Sequence, residues 1–459
     1  MNQSVSQKIA KFACDFKLID APADVVAKAK SIMLDAIGLC FATTDMEYAD
    51  ISYRLVQGFG GTAESTVIGR SFKVPAVWAV LVNGIQIHGH DYDDTHAGSV
   101  AHTAPVIAPI VLAFGERNQL TGIQILEALI LGLEFDGRVG LASRGGFHKR
   151  GFHTTALAGA MGGVIAAAKA LGLDPERTCH AQGIAGSTAA GLREAYLSGG
   201  SWTKMLHPAW AAHGATMAAL MAQQGYTGTP TVYEGRFGLF KSHLHPDDAD
   251  YSALLDDLGQ RWEIRNIDFK PYPCGVINHA FIESVFKLQQ QQDIAIDAIK
   301  QVICFIHPDA AQTVCEPIPS KRRPESGYHA KFSLPFAVAA ALVDREVTLK
   351  TFTDEKVKDP KILKVVDRVE YRLDPDSPYP VTYPGRIEIQ MVDGRVFSHH
   401  QPHNKGSREN PMTEAEIKEK FYSNAMHKIT RAQAEEIYNC IVELEDLKDS
   451  AVLSKHLNN

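Results

Sequence analysis

The chain has 459 residues, of which 45% are hydrophobic and 22% are charged, and its formal net charge is −7. This acidic balance argues against nucleic acid and anionic membranes as partners, because both bind through clusters of basic residues. The sequence contains no run of about 18 apolar residues, and its N-terminus lacks the apolar core of a signal peptide. We therefore expect a cytoplasmic protein that binds a small molecule.

The length predicts more than one domain, since single hydrophobic cores rarely exceed roughly 250 to 300 residues. Up to about residue 225, apolar residues recur at helical spacing, which predicts an almost uninterrupted series of helices. One segment, TTALAGAMGGVIAAAKAL, is rich in Ala and Gly, and such small side chains are typical of a helix buried among close neighbours. The predicted helices cover residues 23–43, 74–92, 103–116, 121–142, 154–171, 176–189 and 208–224.

The character of the sequence changes at about residue 265, where β-branched strands appear. A hairpin is indicated by the turn Asp393-Gly394 between two alternating segments. The predicted strand, hairpin and helices of the second half lie at residues 298–307, 386–397, 277–290, 333–343 and 413–447. We predict a mainly α fold. A large all-helical domain is formed by residues 1–265 plus 406–459, and residues 266–405 are inserted as a smaller α+β domain.

The seven cysteines are odd in number, widely spaced and without a CxxC pair. This spacing predicts neither a disulfide framework nor a zinc ribbon, and it offers no set of thiolates for an iron–sulfur cluster. Cys274 has two interpretations, a nucleophile or a buried thiol, and no local signature supports the first. We expect most of these residues to be buried small hydrophobes.

The densest group of proton-transfer side chains lies in NGIQIHGHDYDDTH, residues 83–96, followed by His102. If the preceding helix continues through this segment, His88, Asp91 and Thr95 share one helical face. Such a cluster binds a substrate, holds a divalent metal or caps a helix. The spacing matches neither the H-E-x-x-H motif nor the EF-hand loop, so we favour substrate binding over metal binding.

Three further segments place a basic side chain where it can meet an anion. His153, in GFHTT, directly precedes the Ala/Gly-rich helix, whose N-terminal amides favour negative charge; the alternative is a capping or solvated histidine. Lys204 and His207 lie three residues apart at the entry to a helix that we expect to begin at Pro208. Lys270 lies in a proline-stiffened segment at the predicted domain junction.

The chain resembles the MmgE/PrpD family over residues 5–445, in the ordered segments NGIQIHGHDYDDTH, GFHTT, TKMLHPAWAAHG, KPYPCGVINH and GYHAKFSLPFAVAAAL. That family includes 2-methylcitrate dehydratases, cis-aconitate decarboxylases and iminodisuccinate epimerases. The resemblance implies a helical domain built from both chain ends, an α+β lid, a homodimer, and an active-site cleft without a metal or organic cofactor. By motif position it places decarboxylase-type site residues at Asp91, Thr95, His102, His153, Lys204 and Lys270.

The reactions of this family share a proton transfer next to a carboxylate, so they need cations and an acid/base pair. We predict that His102 and His153 form that pair, that Asp91 orients one imidazole, and that Lys204 stabilises developing charge. Substrate binding is assigned to Thr95, Lys270, His207 and His279.

Gly275 departs from the decarboxylase pattern, which has an important histidine at this place, five residues after the lysine of KPYPCG. For this reason we predict dehydration of 2-methylcitrate or a related hydroxy-tricarboxylate. The alternatives are cis-aconitate decarboxylation, iminodisuccinate epimerisation, a catalytically inactive binding homologue, and a metal-dependent hydrolase built on the His/Asp cluster. We expect neither a cofactor nor a bound metal.

Overall fold

Helices make up most of the part of the chain that the computed structural model describes, which comprises residues 3–196, 201–244 and 249–458. The first helices are α1 Val5–Asp15, α2 Ala23–Thr43, α3 Glu47–Phe59, α4 Ala76–His88, α5 Ala104–Asn118, α6 Gly122–Ala142, α7 Gly146–Lys149, α8 Thr154–Ala170, α9 Pro175–Gly186, α10 Thr203–Gln223, α11 Leu239–His243 and α12 Tyr251–Leu255. Across the described ranges, none of the helices is both long and apolar enough to cross a bilayer.

Helix α8 is the central helix of this part, as its Ala/Gly composition predicts. Every residue except Lys169 is buried, and the helix packs against α5, α6, α9 and α10. At Gly162 the approach to α6 is especially close, because a Cβ there would lie 2.7 Å from the backbone nitrogen of Asp136. A larger side chain at this position would push the two helices apart.

Two predicted helix boundaries are wrong. Helix α4 ends at His88 instead of continuing to residue 92, because the chain turns at Asp91, whose backbone has a left-handed φ of 51°. Helix α10 begins at Thr203 instead of Pro208, and the proline lies inside the helix, where it removes one backbone donor. Lys204 and His207 are therefore one turn apart on the same helix.

Two short antiparallel strand pairs involve the predicted all-helical part: one lies within it, and the other joins it to the start of the predicted α+β region. One pair joins β1 Ser65–Thr66 to β2 Lys73–Val74, and the other joins β3 Thr95–His96 to β4 Ile267–Asp268. The second pair holds the His/Asp-rich segment beside the segment that contains Lys270. Two segments far apart in the sequence thus meet through backbone hydrogen bonds.

The strand and hairpin predicted in the second half are confirmed. Strands β5 Ile299–Ile306, β6 Val369–Leu373, β7 Gly385–Met391 and β8 Val396–Gln401 form a sheet in the order β6-β5-β7-β8. Strands β5 and β6 are parallel and the other pairs are antiparallel, with Gly394 in the hairpin turn at φ 92°. The helices of this part are α13 His279–Gln291, α14 Pro308–Val314, α15 Ile318–Arg322, α16 Gly327–Ala330, α17 Leu334–Asp344 and α18 Pro360–Val366.

The last three helices are α19 Glu414–Ala425, α20 Arg431–Val442 and α21 Ala451–Leu457. They return to the N-terminal helices: α19 packs against α2, where Gly38 lies beside the ring of Phe421. One hydrophobic cluster draws its buried residues from positions 5–269 and 417–457, and a second draws them from 274–391. The domain limits at 265 and 406 stay predictions.

Candidate active site

Two buried lysines meet at one carboxylate. The Nζ of Lys204 donates to Oδ1 of Asp91 at 2.7 Å, and the Nζ of Lys270 donates to Oδ2 at 3.1 Å and to the Asp91 carbonyl oxygen at 2.9 Å. Burial raises the pKa of Asp91, but the two ammonium groups outweigh it and hold that pKa well below its usual range. The carboxylate of Asp91 carries one negative charge and the two lysines carry two positive charges. The net positive charge of this group attracts a further anion.

Three imidazoles surround this lysine pair. The ring of His88 lies 4.8 Å from that of His102 and 6.1 Å from that of His153, measured between centroids. His88 accepts a hydrogen bond at Nε2 from Nζ of Lys204 at 2.7 Å, and its Nδ1 lies 2.8 Å from the Asp93 carboxylate. Because Nε2 accepts, Nδ1 carries the proton and donates it to Asp93. Burial lowers the pKa of His88, although Asp93 partly opposes that shift.

His102 presents a basic nitrogen to the cavity. Its Nδ1 donates to the backbone oxygen of Asp94 at 2.8 Å, and a carbonyl can only accept. The neutral ring is therefore protonated at Nδ1 and has its lone pair at Nε2. Burial, reinforced by the positive charges of Lys270 and Lys204, holds the pKa of His102 well below its usual value despite the opposing charge of Asp93.

His153 and His207 form an imidazole pair next to His88 and His102. Their Nδ1 atoms are 3.0 Å apart, so one ring donates a proton and the other accepts it. Burial is the main cause that lowers the pKa of both rings, well below the usual range for His153 and to about 4 for His207. The two rings thus share one proton at this contact and resist a second one.

A cavity opens beside these groups. Its helical wall contains the predicted site residues Asp91, Thr95, His102, Lys204 and Lys270. The remaining lining residues, most of them from the second half of the chain, are Val100, His148, Gly275, Val276, Ile277, Thr313, Val314, Phe332, Tyr379 and Tyr383. One wall therefore carries the charges, and the facing wall is mostly apolar with two phenols.

The structure does not bring every predicted residue to this cavity. His279 is fully buried at the start of α13, where its Nε2 donates to the backbone oxygen of Cys274 at 3.1 Å and its ring meets the edge of Tyr272. The structure therefore places it outside the cavity lining, enclosed by neighbouring side chains of the second core, and substrate binding by His279 stays a prediction. Neither His207 nor His153 is part of the cavity lining, and the two rings contact each other instead. Burial raises the pKa of Cys274 to about 12, as expected of a buried thiol and not of a nucleophile.

Two residues that were not among the predicted site residues, His88 and Asp93, lie at the centre of the site. We predicted that Asp91 orients an imidazole, but its carboxylate bonds the lysines, and the carboxylate beside an imidazole is that of Asp93. Both residues belong to the segment NGIQIHGHDYDDTH, so the density of that motif was the signal for them. Tyr379 and Tyr383 gave no comparable signal, because their segment has no charged or histidine cluster.

Among the described residues, two groups of side chains have donor atoms within 4.8 Å of one another and could share a metal ion: His88, His102 and His153, and His88, Asp91 and Asp93. Both groups include His88, whose Nε2 is 2.7 Å from the ammonium nitrogen of Lys204. A positive charge at that distance repels a divalent cation. The donor chemistry therefore favours an anion in this cavity over a metal.

The sequence matches two domain models of one protein family. Residues 7–252 match the MmgE/PrpD N-terminal domain and residues 272–446 match the MmgE/PrpD C-terminal domain. The chain belongs to the MmgE/PrpD family. A cis-aconitate decarboxylase of Mus musculus is 26% identical to it over 100% of this chain and 94% of the relative. Cis-aconitate decarboxylases of Homo sapiens and Aspergillus terreus are also 26% identical, over 99% of this chain and 94% and 96% of their own lengths.

The lowered imidazole pKa values predict a shifted pH profile. If neutral His102 is the base in the free protein, kcat/KM falls only when the pH drops through its lowered pKa, so the acidic limb should lie below pH 6.5, the ordinary histidine value. A bound polyanion raises the same pKa, so the acidic limb of kcat should lie at higher pH than that of kcat/KM. Initial rates measured between pH 4.5 and 8 test this. An acidic limb of kcat/KM above 6.5 would contradict it.

Proposed function

We propose that this protein is a cofactor-independent lyase that acts on a small polycarboxylate, with dehydration of 2-methylcitrate or a related hydroxy-tricarboxylate as its reaction. The observation that carries the proposal is the meeting of Lys204, Lys270 and His102 in one cavity. The ammonium groups are suited to bind carboxylates, and the imidazole is suited to move a proton beside them. Membership of a family whose relatives include cis-aconitate decarboxylases supports a lyase.

In the proposed reaction, Nε2 of His102 takes the proton next to a substrate carboxylate. The electrons of the broken C–H bond form the carbon–carbon double bond, and the C–O bond breaks as the hydroxyl leaves. Protonated His153 supplies the proton that converts this hydroxyl to water, after the bound carboxylates have raised its pKa. Because its ring lies outside the cavity lining, His153 has to come within reach of the hydroxyl when the substrate binds. Lys204 and Lys270 offset the negative charge that grows on the carboxylate as the C–H bond breaks.

We also propose that residues 266–405 act as a lid over the helical part. The support is that this region has its own hydrophobic cluster and contributes the apolar wall of the cavity. Closing such a wall over bound substrate excludes water and strengthens the lysine–carboxylate interactions.

Decarboxylation of cis-aconitate is the second candidate, supported by the names of the relatives. Gly275 favours dehydration, because the resemblance gives decarboxylases a histidine at this position. A Cβ at Gly275 would be in ordinary contact, 3.4 Å from the ring of Phe332 and 3.5 Å from the backbone oxygen of Lys331. The cavity wall thus has room for a Cβ atom at position 275, where this chain has glycine.

This difference can be tested by substitution. Gly275→His should raise the release of carbon dioxide from cis-aconitate by about 10-fold or more, since a positioned acid/base group contributes factors of that size or larger. Gly275→Leu is the matched control, because it fills similar space without a titratable group. Equal carbon dioxide release by the two variants would contradict the explanation based on Gly275.

The reaction itself is tested by incubating the protein with citrate, 2-methylcitrate, cis-aconitate and iminodisuccinate, with products followed by NMR. We expect loss of water and formation of an alkene from 2-methylcitrate. Carbon dioxide release from cis-aconitate would favour the second candidate, and inversion of iminodisuccinate would identify an epimerase. Binding of these acids without turnover of any of them would overturn the enzyme proposal in favour of a binding homologue.

We further propose a homodimer formed through an exposed apolar face of α3 and α10. Rings link the two helices: Phe59 contacts Trp78 at 5.1 Å, Trp78 stacks on His213 at 4.8 Å, and His213 contacts Trp210 at 5.3 Å, between centroids. The exposed apolar side chains of this face are Ile51, Leu55, Phe59, Leu206, Trp210 and Met217. A contiguous patch of this kind is typical of a protein–protein interface.

The dimer is checked by sedimentation equilibrium. We expect twice the chain mass for the wild type, and a mass near 50.2 kDa for the variant Leu55→Glu/Trp210→Glu, because charges in an apolar interface lose their hydration. Ile19→Glu, which adds one such charge at an exposed apolar residue elsewhere, should leave the dimer intact. A double-mass particle for the Leu55/Trp210 variant would exclude this face as the interface.

A further inference from the structure

Lys420 is a buried lysine outside the cavity. It lies on α19, and its side chain is 3% exposed. Its Nζ donates to Oδ2 of Asp35 at 2.8 Å and to the backbone oxygen of Tyr92 at 2.8 Å, and it lies 4.1 Å from the centroid of the Tyr92 ring. The C-terminal part of the chain thus reaches the segment that carries the active-site carboxylates.

Tyr92 lies between the two carboxylates that organise the site. On one side, Asp91 bonds Lys204 and Lys270. On the other side, Asp93 bonds His88 and lies 3.4 Å from Nδ1 of His102. A shift of the Tyr92 peptide group would therefore move both the lysine pair and the imidazoles.

This segment has an unfavourable backbone that needs support. Asp91 has a φ of 51°, a left-handed conformation that is uncommon for residues with a side chain, although aspartate adopts it more often than most. Hydrogen bonds hold the segment at three points: Asp91 N donates to the His88 oxygen at 3.0 Å, Lys270 donates to the Asp91 oxygen, and Lys420 donates to the Tyr92 oxygen. The hydroxyl of Tyr92 also donates to the oxygen of Pro271 at 3.0 Å, next to Lys270.

We propose that Lys420 is a positioning residue for the polycarboxylate reaction. It fixes the Tyr92 carbonyl, and through it the left-handed turn that aims the Asp91 and Asp93 carboxylates. The inference rests on the proposed function. The positioning role goes beyond the proposed function, because Lys420 does not line the cavity and acts only through Tyr92.

The bond to Asp35 alone does not account for a lysine here. A buried ion pair often contributes little net stability, and replacing both partners by apolar residues of similar size is often neutral or stabilising. If apolar residues replaced Lys420 and Asp35, the Tyr92 oxygen would lose the hydrogen bond from Lys420, and no new donor would replace it. The double variant Lys420→Met/Asp35→Leu therefore separates folding from positioning, since it leaves no unpaired charge in the core.

The test compares the wild type, Lys420→Met/Asp35→Leu, Lys420→Arg and a control from which an exposed pair is removed, Lys364→Met/Asp297→Leu. Lys364 and Asp297 form a 2.8 Å ion pair at 58% and 89% exposure, far less buried than the pair under test. Each protein is characterised by its melting temperature, by kcat and KM, and by amide hydrogen exchange across residues 91–94.

We expect the Lys420/Asp35 variant to melt near the wild-type temperature but to lose about 10- to 100-fold in kcat, with a smaller change in KM, because misplaced groups cost turnover more than binding. Lys420→Arg can still donate to the Tyr92 oxygen and should recover part of the loss. Exchange at residues 91–94 should be faster in the double variant only.

Unchanged kcat and unchanged exchange in the double variant would overturn the positioning role. If the wild type turns over none of the acids tested, the proposed function fails, and the exchange comparison alone then decides on Lys420. Protection at residues 91–94 that persists without Lys420 would reject the inference in that case too.

Discussion

Lys204→Met is expected to lower kcat/KM by about 100- to 1000-fold, the usual cost of removing one preorganised electrostatic contact to a transition state. The ammonium group lies in the cavity, 2.7 Å from both Asp91 and His88, so its loss removes a positive charge from the place where substrate charge grows. Methionine keeps most of the buried side-chain volume. Steady-state kinetics with the acid identified by the NMR panel provide the measurement.

The variant should remain folded, because Asp91 retains Lys270 as a charged partner. Circular dichroism and a melting curve verify this. Lys8→Met serves as a control, since Lys8 lies exposed on α1 and its replacement removes the same charge far from the cavity. Activity of the Lys204 variant within about ten-fold of the wild type would remove this lysine from the proposed mechanism.

Replacing His102 by Gln is expected to reduce kcat by at least about 100-fold, as is usual when a general base is lost. Glutamine can reproduce the donor to the Asp94 oxygen but cannot accept and release a proton at the Nε2 position. The same change should slow the exchange of the substrate C–H for deuterium in heavy water. That exchange reports on proton abstraction alone.

His180→Gln is the matched control for this change. His180 bonds the backbone oxygen of Gly228, away from the cavity lining, so its replacement tests the general cost of losing a histidine. Deuterium exchange at the wild-type rate in the His102 variant would assign the base to another group. His153 would then be the next candidate, because its ring lies 6.2 Å from that of His102.

Local sequence patterns predicted much of the fold correctly. The composition of α8 indicated a central helix, and the Asp393-Gly394 turn indicated the hairpin, because each signal depends on residues close together in the sequence. Ordered motifs also brought Lys204 and Lys270 to the same site in the prediction. That placement came from the resemblance to the family, because no local pattern indicates that these two segments meet.

The remaining features depend on contacts between distant residues. Nothing in the local sequence indicates how the backbone at Asp91 turns, because the lysines that bond the Asp91 and Tyr92 oxygens, Lys270 and Lys420, come from other parts of the chain. Pro208 predicted a helix start from a local preference, yet the helix begins five residues earlier at Thr203. His279 stood in a family motif, and only the packed core reveals that it is enclosed.

The pairing of β3 with β4 has a consequence for biosynthesis. Residue 95 pairs with residue 268, so a nascent chain that ends before residue 267 has His88, His102 and His153 but neither the partner strand of β3 nor the ammonium group of Lys270. The proposed active site is therefore complete only after more than half of the polypeptide has been synthesised.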